Sequence, residues 1–335
     1  MSGTHGRLTP RLRGPAAAAV IALCAVLVLP TAAHAEAAEQ RVVDRAVAAA
    51  ASEGIEQSVS VVDRASGHRV ASSGGGEQYI SESIVKLFTV AYYRHQAEGH
   101  TDKAMSARLR SMIINSDDAI ESSLWNTDIV PDAAARYGLH NTRNGPKTGP
   151  HDWGWELITA DDEADFLYSM SNDPQVAPLL LPAMADVAPN GADGFDQSFG
   201  LNALRGDHGS KQGWTDMGTT QQVQVHSVGW TDKYFVAILQ TSTTAGYEAM
   251  RAAATATAQA VQDSENPPAA ENPPAAENPP AAENPATGQR PATGENQSSS
   301  DPAAESAIAA ELATVLGAVG REIRTAISGL LHSDG

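Results

Sequence analysis

The 335-residue chain is short of cysteine, basic residues and aromatics, and each shortage excludes something. Its one cysteine, Cys24, lies in an N-terminal segment expected to be removed. A mature chain starting after it would have no disulfide, no thiolate metal site and no cysteine nucleophile. Only 22 Lys+Arg stand against 40 Asp+Glu, for a net charge of −18. So acidic a chain is repelled by phosphate backbones, so no nucleic-acid partner is expected. His95, His100, His140, His151, His208 and His226 show no His-Glu-x-x-His spacing. Neither a metal site nor a cofactor is therefore expected. The few aromatics all fall between Tyr79 and Tyr247, so that region and its flanks should hold the large core. The apolar run Ala16 to Leu29 is shorter than the about 20 residues that a bilayer-spanning helix needs.

That run has instead the layout of an export signal. Arg7, Arg11 and Arg13 precede it, and Ala33-His34-Ala35 follows as a small-x-small cleavage site before Glu36. Loss of the three arginines takes the net charge from −18 to −21. Cys24 follows Leu23 in mid-run rather than a small residue, which argues against lipid attachment. Expected divisions are a signal peptide over 1–35, a domain over 36–260, a linker over 261–303 and a helical tail over 304–335. In the linker, Glu-Asn-Pro-Pro-Ala-Ala starts at 265, 271 and 277, with a degenerate copy at 283. Paired prolines forbid helix and ladder hydrogen bonds, so a disordered, extended spacer is expected. In the tail, Ile308, Leu312, Val315, Leu316, Val319, Ile323, Ile327 and Leu330 trace one apolar helix face. Self-association or docking suits that face better than a membrane. Its polar side carries Arg321 and Arg324 against Glu305, Glu311 and Glu322, a poor match for anionic lipid.

Within the domain, residues 36–57 have apolar positions at helical spacing. A strand ending at Asp63 and a return from His68 to Ser72 follow, joined by Ala65-Ser66-Gly67. Ser81 to His95 and residues 102–125 read as helix, and Thr159 opens another with Asp161 and Asp162 in its first turn. Gln222 to Trp230 and Tyr234 to Thr241 read as paired strands after Lys211. The fold class is α+β, an antiparallel sheet flanked by helices.

Three short motifs carry chemistry. In Ser83-Ile84-Val85-Lys86, a serine and a lysine three apart share a helix face. A lysine in a partly buried polar site can act as base for the hydroxyl. Alone the pair is weak: 27 serines and 5 lysines give about 0.4 such pairs by chance. Ser116-Asp117-Asp118 comes just after Met112-Ile113-Ile114-Asn115, and Lys211-Gln212-Gly213 stands directly before the paired strands. Their order matches the Ser-x-x-Lys, Ser-Asp-Asn and Lys-Thr-Gly set.

On these motifs the chain resembles the penicillin-recognising serine enzymes, in their class A β-lactamase-like branch, over residues 40–258. Val59-Ser60-Val61-Val62-Asp63, Tyr137-Gly138-Leu139 and Thr159-Ala160-Asp161-Asp162 fall in register with them. The resemblance implies Ser83 as nucleophile, Lys86 as its base and Ser116 as proton relay to the leaving nitrogen. It implies Asp118 as a holder of Lys86 or of substrate, Lys211 and Gln212 as carboxylate binders, and Gly213 as a close approach to substrate. The backbone N–H groups of Ser83 and Trp214 would form the oxyanion hole.

The departures are informative. Asp118 stands where Asn is usual, and an acid there can pair with Lys86 and make it a poorer base. Gln212 and Trp214 replace smaller residues. Only 33 residues separate Ser83 from Ser116, so the all-helical subdomain must be reduced. No Glu-x-x-Leu-Asn stretch lies between Leu139 and Thr159, and Glu156 is too close to the next helix to activate water. Trp153 and Trp155 are expected to pack beneath that loop, and His226 to be a satisfied core residue. The function expected is an exported serine hydrolase, secreted or associated with the cell wall. It would act through a Ser83 acyl-enzyme on a β-lactam, a D-Ala peptide from peptidoglycan or an ester, with slow deacylation. The alternative is a weakly active or inactive cell-wall binding module.

Overall fold

The computed structural model describes residues 36–147, 149, 151–216 and 222–265. All of them belong to one compact unit. The expected signal peptide, the expected linker beyond Glu265 and the expected tail helix lie outside the described residues.

The chain opens with a helix over 36–52 (α1) and a hairpin of β1 (Glu56–Asp63) and β2 (Arg69–Ser73). A short strand β3 (Gln78–Ile80) leads to a 3-10 turn (Glu82–Val85) and four helices. These are α2 (Lys86–Gln96), α3 (Lys103–Asn115), α4 (Asp118–Leu124) and α5 (Ile129–Tyr137). β4 (Leu157–Thr159), α6 (Ala160–Ser171) and α7 (Ala177–Ala185) follow. The chain then returns to the sheet through β5 (Gly209–Asp216), β6 (Val223–Trp230) and β7 (Tyr234–Ser242), and closes with α8 (Tyr247–Ser264). The expected α+β architecture is observed. The sheet is antiparallel, in the order β2-β1-β7-β6-β5.

Strand periodicity explains why this sheet needs cover on both faces. Successive side chains point to opposite sides. Val59, Val61, Val236 and Ile238 join one core with Val43, Met250, Ala254, Ala258 and Val261, from α1 and α8. Their neighbours Val62, Ala237 and Leu239 join the other, with Leu87, Phe88, Ile113 and Phe166 from the intervening helices. The central strand β7 is buried throughout. β5 is at the edge, and the 3-10 turn that bears Ser83 packs against it.

Some boundaries differ from expectation. Residues 102–125 form two helices, not one. Ser116 adopts the left-handed conformation (φ 51°), and Asp117 caps the next helix by accepting from Ile120 N. α8 runs to Ser264, past the boundary expected at 260. α5, α7 and the small β3–β4 pair were not anticipated. Three-residue strands carry no readable alternation, and α7 contains Pro182, a residue that argues against helix.

Candidate active site

Ser83 sits on the 3-10 turn and Lys86 opens α2. In a 3-10 turn, side chains three apart eclipse. The local geometry therefore brings Lys86 Nζ to 2.6 Å from Ser83 Oγ. The turn begins at Glu82, a non-glycine residue held at φ 47°. Such strain costs on the order of 1–3 kcal/mol and persists only where its surroundings enforce it. Gly213 on β5 is part of that enforcement: a Cβ there would lie 3.2 Å from Glu82 Cβ and Ile84 Cγ1, and 3.3 Å from Ser81 O. The close approach that Gly213 permits is thus to the turn that bears Ser83.

Ser116 and Asp118 come from the break between α3 and α4. Lys86 is fully buried and donates to Asp118 Oδ1 at 2.9 Å, while the Asp118 side chain is 59% exposed. Lys211, also fully buried, donates to Ser116 Oγ at 2.8 Å and to Gln212 O at 2.6 Å. Burial, then the Lys86 charge, push Lys211 well below the usual lysine range. Ser83 with Lys86 and Ser116 with Lys211 therefore form two hydroxyl–lysine pairs, and Asp118 pairs with Lys86. Gln212 is not with them. Strand alternation turns it away from Lys211; it is buried and donates to Ser210 Oγ at 2.9 Å.

A cleft of about 330 Å³ opens over Ser83, lined also by Glu82, Asp118, Trp153, Asp193, Phe195, Trp214, Thr215 and Tyr247. Larger hollows of about 510 and 850 Å³, beside β1 and between α1 and α8, contain no serine–lysine pair. Trp214 stacks on Phe195 with centroids 4.6 Å apart, and its Nε1 donates to Asp193 Oδ2 at 3.1 Å. Trp153 does more than pack. Its ring lies 3.9 Å from Lys86 Nζ, and its Nε1 donates to Ser122 Oγ. Trp155 instead faces Lys147.

Glu156 stands away from the cleft. It is buried, and Oε2 accepts from Gly145 N at 2.8 Å. Burial raises its pKa to about 7. Glu121, unanticipated, lies buried under the lysines, where Oε1 accepts from Thr89 Oγ1. Burial raises it to about 7, opposed by both lysine charges. His226 is buried with both ring nitrogens engaged: Nε2 donates to Ile80 O and Nδ1 accepts from Gln240 N. Burial holds it neutral, with a pKa of about 4. Thr159 caps α6, and Asp162 accepts from Asn141 N and Thr142 Oγ1, so the Asp161–Asp162 pair belongs to the helix start. Among the described residues, no three His, Cys, Asp or Glu side chains group as a metal site.

Sequence signals for the missed residues were uneven. Glu82 adjoins the nucleophile and was visible as an acid beside Ser83. Asp193 and Phe195 arrive from a turn-rich loop with no local pattern.

No family model matches the chain. It is 31% identical over 180 residues to the proposed lipoprotein LppW of Mycobacterium tuberculosis and of Mycobacterium bovis. The match covers 49% of this chain, which spans 56% of those relatives. Among solved structures it is similar to a class A β-lactamase from Bacteroides cellulosilyticus (TM-score 0.56, 14% identity, covering 68% of this chain and 98% of that one). It is also similar to a β-lactamase from Sphaerobacter thermophilus (TM-score 0.53, 18% identity, 68% and 99%) and a class A enzyme from Mycobacterium abscessus (0.51, 14%, 65% and 96%). The fold is β-lactamase-like.

Proposed function

We propose that the protein is an exported serine hydrolase that forms an acyl-enzyme through Ser83. The observation that carries this reading is the 2.6 Å contact between Ser83 Oγ and Lys86 Nζ at the floor of a cleft. In its neutral form Lys86 would accept the hydroxyl proton as Oγ attacks the substrate carbonyl. Ser116, bonded to Lys211, would carry a proton to the leaving group, which departs as the Oγ–acyl bond is completed. The backbone N–H groups of Ser83 and Trp214 would hold the oxyanion. Asp118 would position Lys86; Lys211 and Gly213 would support Ser116 and the nucleophile turn. Gln212 would act from within the sheet rather than on substrate.

The substrate class follows the β-lactamases that share the fold: a β-lactam, a D-Ala peptide or an ester. Intact-protein mass analysis after fluorophosphonate or penicillin treatment tests the reading. One adduct on Ser83, absent in Ser83→Ala, is expected; labelling of the alanine variant would show that the nucleophile lies elsewhere. A second reading, a cell-wall binding module of the same fold, draws on the Lys86–Asp118 ion pair, which occupies the base. A wild-type protein that never labels would favour it.

The proposed setting is extracytoplasmic, in line with the lipoprotein naming of the relatives and the signal-like N-terminus. No helix among the described residues is long and apolar enough to cross a membrane. Secretion in a native host should yield a protein starting near Glu36; retention of a lipid-modified Cys24 would end that proposal.

A further inference from the structure

We propose that the cleft selects a substrate whose acyl part carries an ammonium group, an ester or amide, over one that presents a carboxylate. This rests on the serine-hydrolase reading and narrows its substrate class.

Three separate segments bring carboxylates to the cleft wall: Glu82 from the nucleophile turn, Asp118 from α4 and Asp193 from the loop before β5. Among the described residues, no lysine or arginine lines it. Lys86 and Lys211 lie fully buried beneath, each committed to internal partners. A lysine that is buried, bonded to a hydroxyl and a carbonyl, and depressed in pKa is a weak anchor for a substrate carboxylate. Arg251 pairs with Asp196 and lies 5.5 Å from the centroid of the Phe195 ring, behind that wall of the cleft, and Lys147 lies over Trp155.

Glu82 is the independent observation. It is only 8% exposed, yet its carboxylate makes no hydrogen bond or ion pair with any described residue, and it faces the cleft. Its backbone is held at φ 47°, between two glycines. A Cβ on Gly154 would sit 3.3 Å from Glu82 Oε2, and one on Gly213 would press on Glu82 Cβ. A largely buried side chain whose carboxyl oxygens have no partner among the described residues and open only to the cleft can be met by an arriving cation. Burial raises its pKa to about 8, so an ammonium bound there would displace its proton. Beside Ser83 and Thr215, the other walls are the aromatic residues Trp153, Phe195, Trp214 and Tyr247. Trp153 already holds one ammonium, that of Lys86, at 3.9 Å, and ring faces attract cations.

The test uses the mature chain and three matched p-nitrophenyl esters: 6-aminohexanoyl, its N-acetyl form, and the monoester of adipic acid. Acylation is read as p-nitrophenolate release together with the mass of the Ser83 adduct. The ammonium ester should react at least about tenfold faster than the carboxylate ester, with the neutral ester between. Added salt and the Glu82→Gln and Asp193→Asn variants should each shrink the ammonium-to-neutral ratio. Equal rates, a carboxylate preference, or a ratio untouched by both variants would overturn the proposal. Failure of the hydrolase reading shows separately, as absence of any fluorophosphonate adduct on Ser83. In that event, calorimetric binding of 6-aminohexanamide against adipic acid monoamide decides: tighter ammonium binding supports the proposal, and equal or reversed affinities overturn it.

Discussion

Lys86 and Lys211 occupy the same floor, both fully buried, and their surroundings give them different work. Lys86 has a carboxylate partner, Asp118, and a hydroxyl, Ser83. Lys211 has a hydroxyl, Ser116, and a carbonyl, Gln212 O, with no carboxylate in hydrogen-bond contact. Burial favours the uncharged form of an amine, and only an opposite charge offsets it. Lys86 thus sits in an ion pair beside Ser83, and Lys211, whose pKa burial lowers, sits beside Ser116 without one. Two lysines from separate motifs have become an ion pair and a hydrogen-bond support.

The largest expected effect separates the two. Lys86→Met should slow fluorophosphonate labelling of Ser83 by about 10²–10⁴, the range for loss of a general base. Lys211→Met removes a support rather than a base and should cost about tenfold on the same scale. Circular dichroism would establish that both variants fold. Equal losses would erase the distinction, and a larger loss for Lys211→Met would assign Lys211 the proton.

Next in size is turnover. Hydrolysis of an acyl-Ser83 ester needs a base for water on its exposed side. Glu156 is tied to Gly145 N and lies outside the cleft. Penicilloyl-Ser83 should therefore persist, with deacylation slower by about 10²–10⁴ than a base-assisted step. Mass analysis after rapid dilution measures its lifetime. Fast nitrocefin hydrolysis that disappears in Glu156→Gln would show that this glutamate reaches the acyl group after all.

A smaller effect probes the ion pair itself. Asp118→Asn removes the carboxylate that competes with Ser83 for Lys86 Nζ. Acylation by a neutral ester should then rise about tenfold at neutral pH, a modest electrostatic gain for a partly solvated pair. A fall would mean that Asp118 serves by holding the lysine in place.

These contrasts also mark where the sequence was readable. Ser83 and Lys86 were legible because their contact is local: one turn sets it. The α1, β1–β2, α6 and β6–β7 elements were legible through periodicity and through the Thr159 cap. Ser116 and Asp118 were found as a motif, but the helix break that presents them was missed, although Asn115-Ser116-Asp117 is itself a capping cluster. Gln212 was misread because a motif match ignores strand alternation, which turns it to the face opposite Lys211. Trp153, Asp193 and Phe195 converge on Ser83 from distant loops, and no local pattern encodes that convergence.

The smallest effect is on stability, and it sets the buried acids against the buried histidine. Glu121 has a folded pKa of about 7 against an ordinary 4.5. Below pH 4.5 both states are protonated, and its contribution to stability is fully present. Between 4.5 and 7 the unfolded chain releases a proton that the folded chain keeps, so stability falls as pH rises. Glu156, also near 7, and Glu82, near 8, act in the same direction. His226 acts in the opposite one. Its folded pKa of about 4 lies below the ordinary 6.5, so its contribution is full above 6.5 and is lost as pH falls toward 4. Three glutamates outweigh one histidine between pH 4.5 and 6.5, so the domain should melt highest at about pH 4 and progressively lower as the pH rises toward 8. Glu121→Gln keeps the shape and the Thr89 contact but cannot ionise. It should raise the melting temperature at pH 8.5 by about 2–8 °C, or about 1–2 kcal/mol at 2–4 °C per kcal/mol. At pH 5 the variant and the parent should melt together. A gain of equal size at both pH values would trace the effect to packing rather than to the proton. A loss at pH 8.5 would mean that the Glu121 charge, lying under Lys86 and Lys211, holds the two lysines in place.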